Sequence, residues 1–437
     1  MHNSLGMAYQ QQGDFKNAVA EFEKAIKLDP KYASAYFNLG LVYSAQGRLP
    51  AAMTQWQKAI GIKDDNFDVY YTRGMIYYKQ KKFSEAIVQW QEALRLGGEN
   101  AEIYINLGDA YATLGRREEA TQAYKRAEVL NPKSISAQAH CNLARIYYQA
   151  GQYEEARQEF QHALAIDPNL MQAQEGMGLT LSQLGELGQA VDHFNQAIVL
   201  DPNRAQLYFY RGNAYMELKR PADAVTDYQR AVTLKTDLLE AMFNLGNAYM
   251  ALEQYPQAIE AYSRTLTLQP NIPEAKDDLV IAYYNYGVVL RQQGQTAEAI
   301  VQWQKAIKQN PDYLNAYLNL GSAYLEQKSL QAATDVYRQV LNRDTNSAEA
   351  HLGLGNVYFE QKNWDMAIAE YQSALSIRPD FAAARDNLAA AYFNRGVTFA
   401  SIDKSRACSD FRKVLDLSQN ADLRKNAQEA MRTLQCP

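Results

Sequence analysis

Apolar residues return along this chain with two superposed periods, one of a helical turn and one of 34 residues. Between Ala33 and Ala45, Tyr36, Leu39, Gly40 and Tyr43 follow the three- and four-residue spacing that gathers side chains on one face of a helix. Gly47 and Arg48 interrupt the stripe, and a second begins that carries Ala52, Trp56, Ala59 and Ile60. Pro50 falls in the first turn of this second stripe, where a missing N–H leaves no helical bond unmade; Pro256 holds the same place farther on. The pattern predicts two helices joined by a tight turn.

The same pair is written again and again. A small anchor, followed three positions later by Tyr, Leu or Phe, stands at Gly6, Gly40, Gly74, Gly108, Ala144, Gly178, Gly212, Gly246, Gly287, Gly321, Gly355 and Gly396. Most intervals are 34 residues, one is 36 and two are 41. An Ala follows twelve residues after each anchor, except that Ala407 comes one early. Four residues beyond it an aromatic closes the unit every time, from Phe22, Trp56 and Trp90 to Tyr337, Tyr371 and Phe411. Small anchors let two helix backbones approach, and the aromatic is expected to fill the space between neighbouring units. A Pro ends seven units, at positions 30, 132, 168, 202, 270, 311 and 379.

A 34-residue unit with this anchor, Ala, aromatic and terminal Pro resembles the tetratricopeptide repeat (TPR) family, and the likeness covers nearly the whole chain. It implies an all-α, right-handed superhelical solenoid of about twelve helix-turn-helix repeats over residues 1–417. Residues 418–437 are expected to form a capping helix and tail. There Leu423, Ala427, Ala430, Met431 and Leu434 make one apolar stripe, and Asn420 stands where it can cap the start.

Three irregularities add detail. Met1 falls inside the first helix of its unit, so the first repeat is expected to be truncated and a segment upstream of it to be missing. Two units gain seven residues, about two helical turns, which keeps the apolar stripe in phase. Their first helices are expected to begin near Pro273 and Asp380, and the two regions match at an offset of 109 residues, as a duplicated three-unit block would. Each extension reads either as inherited packing or as a docking ridge.

Composition changes the picture little. The 31 Tyr and only 12 Pro fit a large half-polar side chain used repeatedly in a helical array. A net charge of −5 gives no basic footprint, so no nucleic-acid partner is expected. No apolar run is long enough to span a bilayer, so no direct membrane insertion is expected. No signal-peptide pattern opens the chain, which leaves the compartment undetermined with the cytoplasm preferred. Cys141, Cys408 and Cys436 are scattered and odd in number, which implies no disulfide framework. Gln-rich helices, as at Gln10–Gln12, resemble those of cyanobacterial TPR proteins.

No catalytic or cofactor motif is present, and no enzyme activity, cofactor or metal is expected. Gly176-Met-Gly178 and Gly353-Leu-Gly355 fall inside helices and not in a phosphate-binding turn. His2, His140 and His351, each four residues before an anchor where other units carry Tyr, read as core packing. His162 and His193 lack a partner at metal-ligand spacing, and Cys141 reads as a buried or half-buried free thiol.

The remaining candidate is a binding surface. Two positions before an anchor, about 160° away on a helical wheel, stand Asn38, Asn106, Asn142, Asn244, Asn285, Asn319 and Asn394. Just before them lie apolar residues that include Phe37, Phe243, Tyr284 and Leu318. In TPR proteins the first helices line the concave groove. An Asn row there resembles the ladder of O-linked N-acetylglucosamine transferases, whose amides grip a peptide backbone; an amide both donates and accepts. Solvation of a helix face is the plainer alternative, and Thr72, Gly176, Tyr210 and Gly353 interrupt the row. The cationic clamp of heat-shock co-chaperones has no counterpart, because Arg145 and Arg291 stand isolated. The expected function is a non-catalytic scaffold for a peptide or partner protein. The alternatives are a substrate-selecting arm of a larger enzyme such as a glycosyltransferase, or a self-associating module.

Overall fold

The computed structural model describes residues 1–62 and 66–437. Its described residues form twenty-five α-helices and a short 3-10 turn, Pro132–Ser134, with no strand among them. They divide into two compact bodies, Met1–Leu234 and Lys235–Pro437.

The first body holds seven helix pairs, from His2–Gln11 with Phe15–Leu28 to Ala205–Glu217 with Pro221–Leu234. In the second, five pairs run from Leu239–Ala251 with Tyr255–Leu268 to Ala382–Phe399 with Lys404–Leu417, and a single helix, Ala421–Thr433, follows. Each pair turns on a residue seven beyond its anchor that adopts positive φ, as at Gly47 (75°), Gly115 (73°) and Lys219 (58°). That conformation closes the first helix: Arg48 N–H donates to Tyr43 O at 2.9 Å, satisfying a carbonyl that the helix end would leave unpaired. The last pair departs from the pattern. Asp403 caps its second helix directly by accepting from Arg406 N–H, which is why Ala407 arrives a residue early.

The anchors work by close approach. A Cβ on Gly108 would lie 2.6 Å from Cε1 of Tyr124, and one on Gly178 would lie 2.7 Å from Cε1 of Phe194. Where the anchor is Gly, the aromatic therefore sits on the anchor of its own repeat, sixteen residues before it, or fifteen in the last repeat. It also meets the next repeat: Gly176 lies against Phe160, and Gly353 against Tyr337. Trp90, Tyr124, Phe160, Tyr228, Trp303 and Phe411 are among the most deeply buried side chains. Burial of one such ring contributes on the order of 2–3 kcal/mol, so the array of rings is the main cohesive element.

The two lengthened first helices are Pro273–Gln292 and Ala382–Phe399, beginning at or close to the expected residues. Their added turns bury Ala275 and Leu279 in one and Ala384 and Leu388 in the other. The inner face of each extension is thus core. Asn420 caps Ala421–Thr433 as expected, accepting from Asp422 N–H and Leu423 N–H at 3.0 Å. Ala427 is fully buried, with Leu423, Ala430, Met431 and Leu434 packed half-buried around it.

The cysteine expectation needs correction. Cys408 and Cys436 form a disulfide, with Cα atoms 5.6 Å apart across 28 residues of sequence. The last helix folds back along Lys404–Leu417, and that return brings together residues whose spacing carries no disulfide signature. Cys141 alone stays a free, buried thiol, as expected.

Candidate functional site

The amides two positions before the anchors are all half-buried. In the first body they bind neighbouring first helices. Asn38 Nδ2 donates to Asn3 Oδ1 at 3.1 Å, and Asn106 Nδ2 approaches Met75 Sδ at 3.6 Å. Asn142 Nδ2 donates to Asp109 Oδ1 at 2.9 Å, while Asn142 Oδ1 accepts from Gln138 Nε2 at 3.0 Å. In the second body Asn394 Nδ2 donates to Ala390 O within its own helix at 2.9 Å, and Asn244, Asn285 and Asn319 occupy the same register.

The helical-wheel angle holds for an isolated helix, but stacking changes what the position faces. Gly176 and Gly353, at this same register, touch the preceding repeat's aromatic, and Tyr210 lies 6.1 Å from Phe194 between ring centroids. Thr72 is buried and within 3.2 Å of Ser34 Oγ. The position is therefore a seam between repeats, and the interruptions of the Asn row are fitted into it. The apolar candidates lie beside the rings. Phe37 O accepts from Trp56 Nε1 and Tyr284 O from Trp303 Nε1, both at 3.2 Å. The Phe243 ring centroid is 5.8 Å from that of Tyr262, and Leu318 packs half-buried on the core.

A second polar row, immediately after the anchor, escaped the sequence reading. Tyr228 Oη donates to Asn213, Tyr262 Oη to Asn247 and Tyr371 Oη to Asn356, at 2.7, 2.7 and 2.8 Å. Tyr124 Oη likewise donates to Asp109. The signal was present in the sequence. Wherever the closing aromatic is Tyr, the residue after the anchor is Asp, Asn or Ser; wherever it is Phe or Trp, that residue is Met, Leu, Val or, once, Arg145.

Arg145 lies between two hollows in the face of the first body. One, of about 430 Å³, is lined by Tyr78, Asp109, Gln138, Asn142, Arg145 and Gln149 among others. The other, of about 320 Å³, is lined by Arg145, Tyr148, Gln149, Phe160, Glu175, Gly176 and Arg204 among others. They share Arg145 and Gln149, and the missing side chain of Gly176 helps open the second. Burial pushes the Glu175 carboxyl above its ordinary range, while Arg204, with its Nη2 2.7 Å from Oε2, and Arg145 pull it back. Burial also raises Asp109, against the hydrogen bonds from Tyr124 and Asn142. Arg145 itself is exposed and, among the described residues, has no carboxylate within ion-pairing distance. Arg145 does not stand apart from other cations, since it lines the second hollow together with Arg204; Arg291 pairs with Glu326 and donates to Ser322 at 3.0 Å. Burial pushes the Cys141 thiol up to about 11, which keeps it protonated and a poor nucleophile.

The histidines also differ from expectation. His2, His140 and His351 do not simply fill apolar core: each places Nδ1 on a Glu nineteen residues later, Glu21, Glu159 and Glu370, at 2.6, 2.7 and 2.7 Å. His162, expected to stand alone, lies beside the second of these pairs.

Comparison with known proteins is consistent along the chain. A family model described as "TPR repeat" matches residues 6–47, 42–81, 74–115, 178–219, 212–252, 287–328, 321–362 and 355–396. Models described as "Tetratricopeptide repeat" match 101–134, 137–170 and 239–272. No curated protein sequence matches the chain. Among solved structures, MamA is 24% identical, over 40% of this chain and 92% of that one, with a TM-score of 0.34. YrrB, described as a TPR protein with an unusual peptide-binding site, is 23% identical over 44% and 95%, with a TM-score of 0.33. The human IFIT1 dimer with PPP-AAAA is 20% identical over 87% and 90%, also at 0.33. Scores this low do not extend to a shared overall arrangement. None of the matches bears on the source organism. Among the described residues, no helix is long and apolar enough to cross a membrane.

Proposed function

Because this chain belongs to the tetratricopeptide repeat family, we propose that it is a non-catalytic scaffold holding an extended segment of a partner protein against the first helices of its first body. The observation that carries the reading is the pair of adjoining hollows joined at Arg145. Arg204 forms a direct ion pair with Glu175, whereas Arg145, exposed beside the same carboxylate, makes no direct pair and keeps its donors for a ligand. A side-chain carboxylate is the group that fits it bidentately. Tyr148, Leu179 and the edge of Phe160 offer apolar surface for neighbouring ligand side chains. Gln138, Gln149 and Gln172 supply amides for a peptide backbone, the role first expected of the Asn row. The favoured ligand is an extended acidic segment with flanking apolar residues.

The expectation that nucleic acid is excluded rested on net charge, which describes the mean field and not a local groove. RNA is therefore an outcome of the test. Peptide-display libraries panned on the whole chain should enrich acidic-apolar segments, and fluorescence anisotropy should show Arg145→Glu weakening them by roughly tenfold or more. Equal binding by Arg145→Glu, or a single-stranded RNA oligonucleotide bound more tightly than any enriched peptide, would overturn the reading.

A further inference from the structure

His140, Glu159 and His162 each offer one ligand atom, and these atoms all lie within 4.8 Å of one another. His140 belongs to the helix Ala137–Gln149, and the other two to the helix Tyr153–Ile166. Glu159 Oε2 is 2.7 Å from His140 Nδ1 and 3.9 Å from His162 Nδ1, and the imidazole centroids are 5.2 Å apart. None of the three lines either groove hollow.

We propose that these three side chains form a binding site for a divalent transition-metal ion of the zinc type, separate from the peptide groove. Two imidazoles and a carboxylate are a ligand set that zinc accepts, with a fourth position left to water. Bonds of about 2.0–2.1 Å in a tetrahedral site put neighbouring ligand atoms roughly 3.3 Å apart. The observed separations bracket that value. Glu159 and His162 are three residues apart on one helix and so project side by side. The His140 and Glu159 side chains are only 8% and 14% exposed and are held by their mutual contact, whereas His162, 57% exposed, is free to rotate inward and leaves an entry path from solvent. Lys125 contributes positive charge near Glu159, and a divalent ion binds against it.

The chain contains its own controls. The same His–Glu pair occurs at His2–Glu21 and His351–Glu370, so the pair by itself is a recurrent packing device. Three residues past the Glu stand Lys24 and Ser373 in those repeats. His162 is what distinguishes the fifth repeat. A bound ion would tie its two helices together and stabilise the repeat by mass action.

The test is calorimetric titration of the whole, tag-free chain with Zn²⁺, with the melting temperature followed in parallel. One ion per chain is expected, with a raised melting temperature. Exposed His162→Ala, which leaves the His140–Glu159 contact in place, should weaken binding by at least the roughly tenfold that loss of an outer-shell partner already costs. Glu159→Gln should do the same, and Cys141→Ser should bind like the parent. Undiminished binding by His162→Ala, or binding lost only in Cys141→Ser, would overturn the proposal.

Discussion

Tyr228 Oη donates to Asn213 Oδ1 at 2.7 Å, joining the second helix of a repeat to the residue just after its own anchor. The ring lies on Gly212, and a Cβ there would meet it at 2.7 Å, so the glycine sets the depth at which the hydroxyl finds its acceptor. Tyr262 with Asn247 and Tyr371 with Asn356 repeat the arrangement. A buried phenol needs such an acceptor, because an unmade hydrogen bond costs on the order of 1–3 kcal/mol. Phe and Trp make no such demand at that atom, and their repeats put other residues there.

At Asp109 the acceptor is a carboxylate whose burial raises its pKa. A carboxyl raised in the folded state contributes fully below its unfolded pKa, and that contribution is lost as pH rises through the folded value. At neutral pH the ionised Asp109 therefore weighs against folding. Asp109→Asn, the residue used in the sibling repeats, should stabilise the first body by about 0.5–1 kcal/mol at pH 7.5. The gain should shrink as pH falls toward 4. Melting curves across that range check both the sign and the trend.

Gly108→Ala should cost about 1–3 kcal/mol, because its methyl would lie 2.6 Å from the buried Tyr124 ring and force that ring to shift. Gly188→Ala is the contrast: nothing lies within 4 Å of a Cβ there, and the substitution falls inside a helix, so stability should rise slightly. Urea denaturation of the two variants measures the difference.

Reduction of Cys408–Cys436 reopens a loop of 28 residues, which removes on the order of 3–4 kcal/mol of constraint on the unfolded chain. With reductant present, amide exchange should accelerate in Ala421–Thr433 while the helices of the first body exchange unchanged. Cys436→Ser should behave like the reduced parent under oxidising conditions. A glutathione-buffered compartment would favour the reduced form.

The repeat, the helix pairs, the two long helices and the cap at Asn420 were all legible in the residues alone. These are local matters: three- and four-residue spacing selects the helix, and a fixed interval brings each anchor to its aromatic in every copy. The pairing of Tyr with Asn or Asp was also legible, since both members sit at constant offsets within one repeat. The sequence marks Arg145 only as an isolated cation, and neither the hollows beside it nor the engagement of Asn142 by Asp109 and Gln138 was legible. Tertiary structure alone decided what faces what across repeats. It turned the Asn positions onto the seam with the preceding ring, paired Arg291 with Glu326, returned Cys436 to Cys408 and set His162 beside His140. Such contacts depend on the rotation and approach of one packed helix against another. A helical wheel fixes the direction of a side chain from its own axis, but not the neighbour that packing brings to meet it.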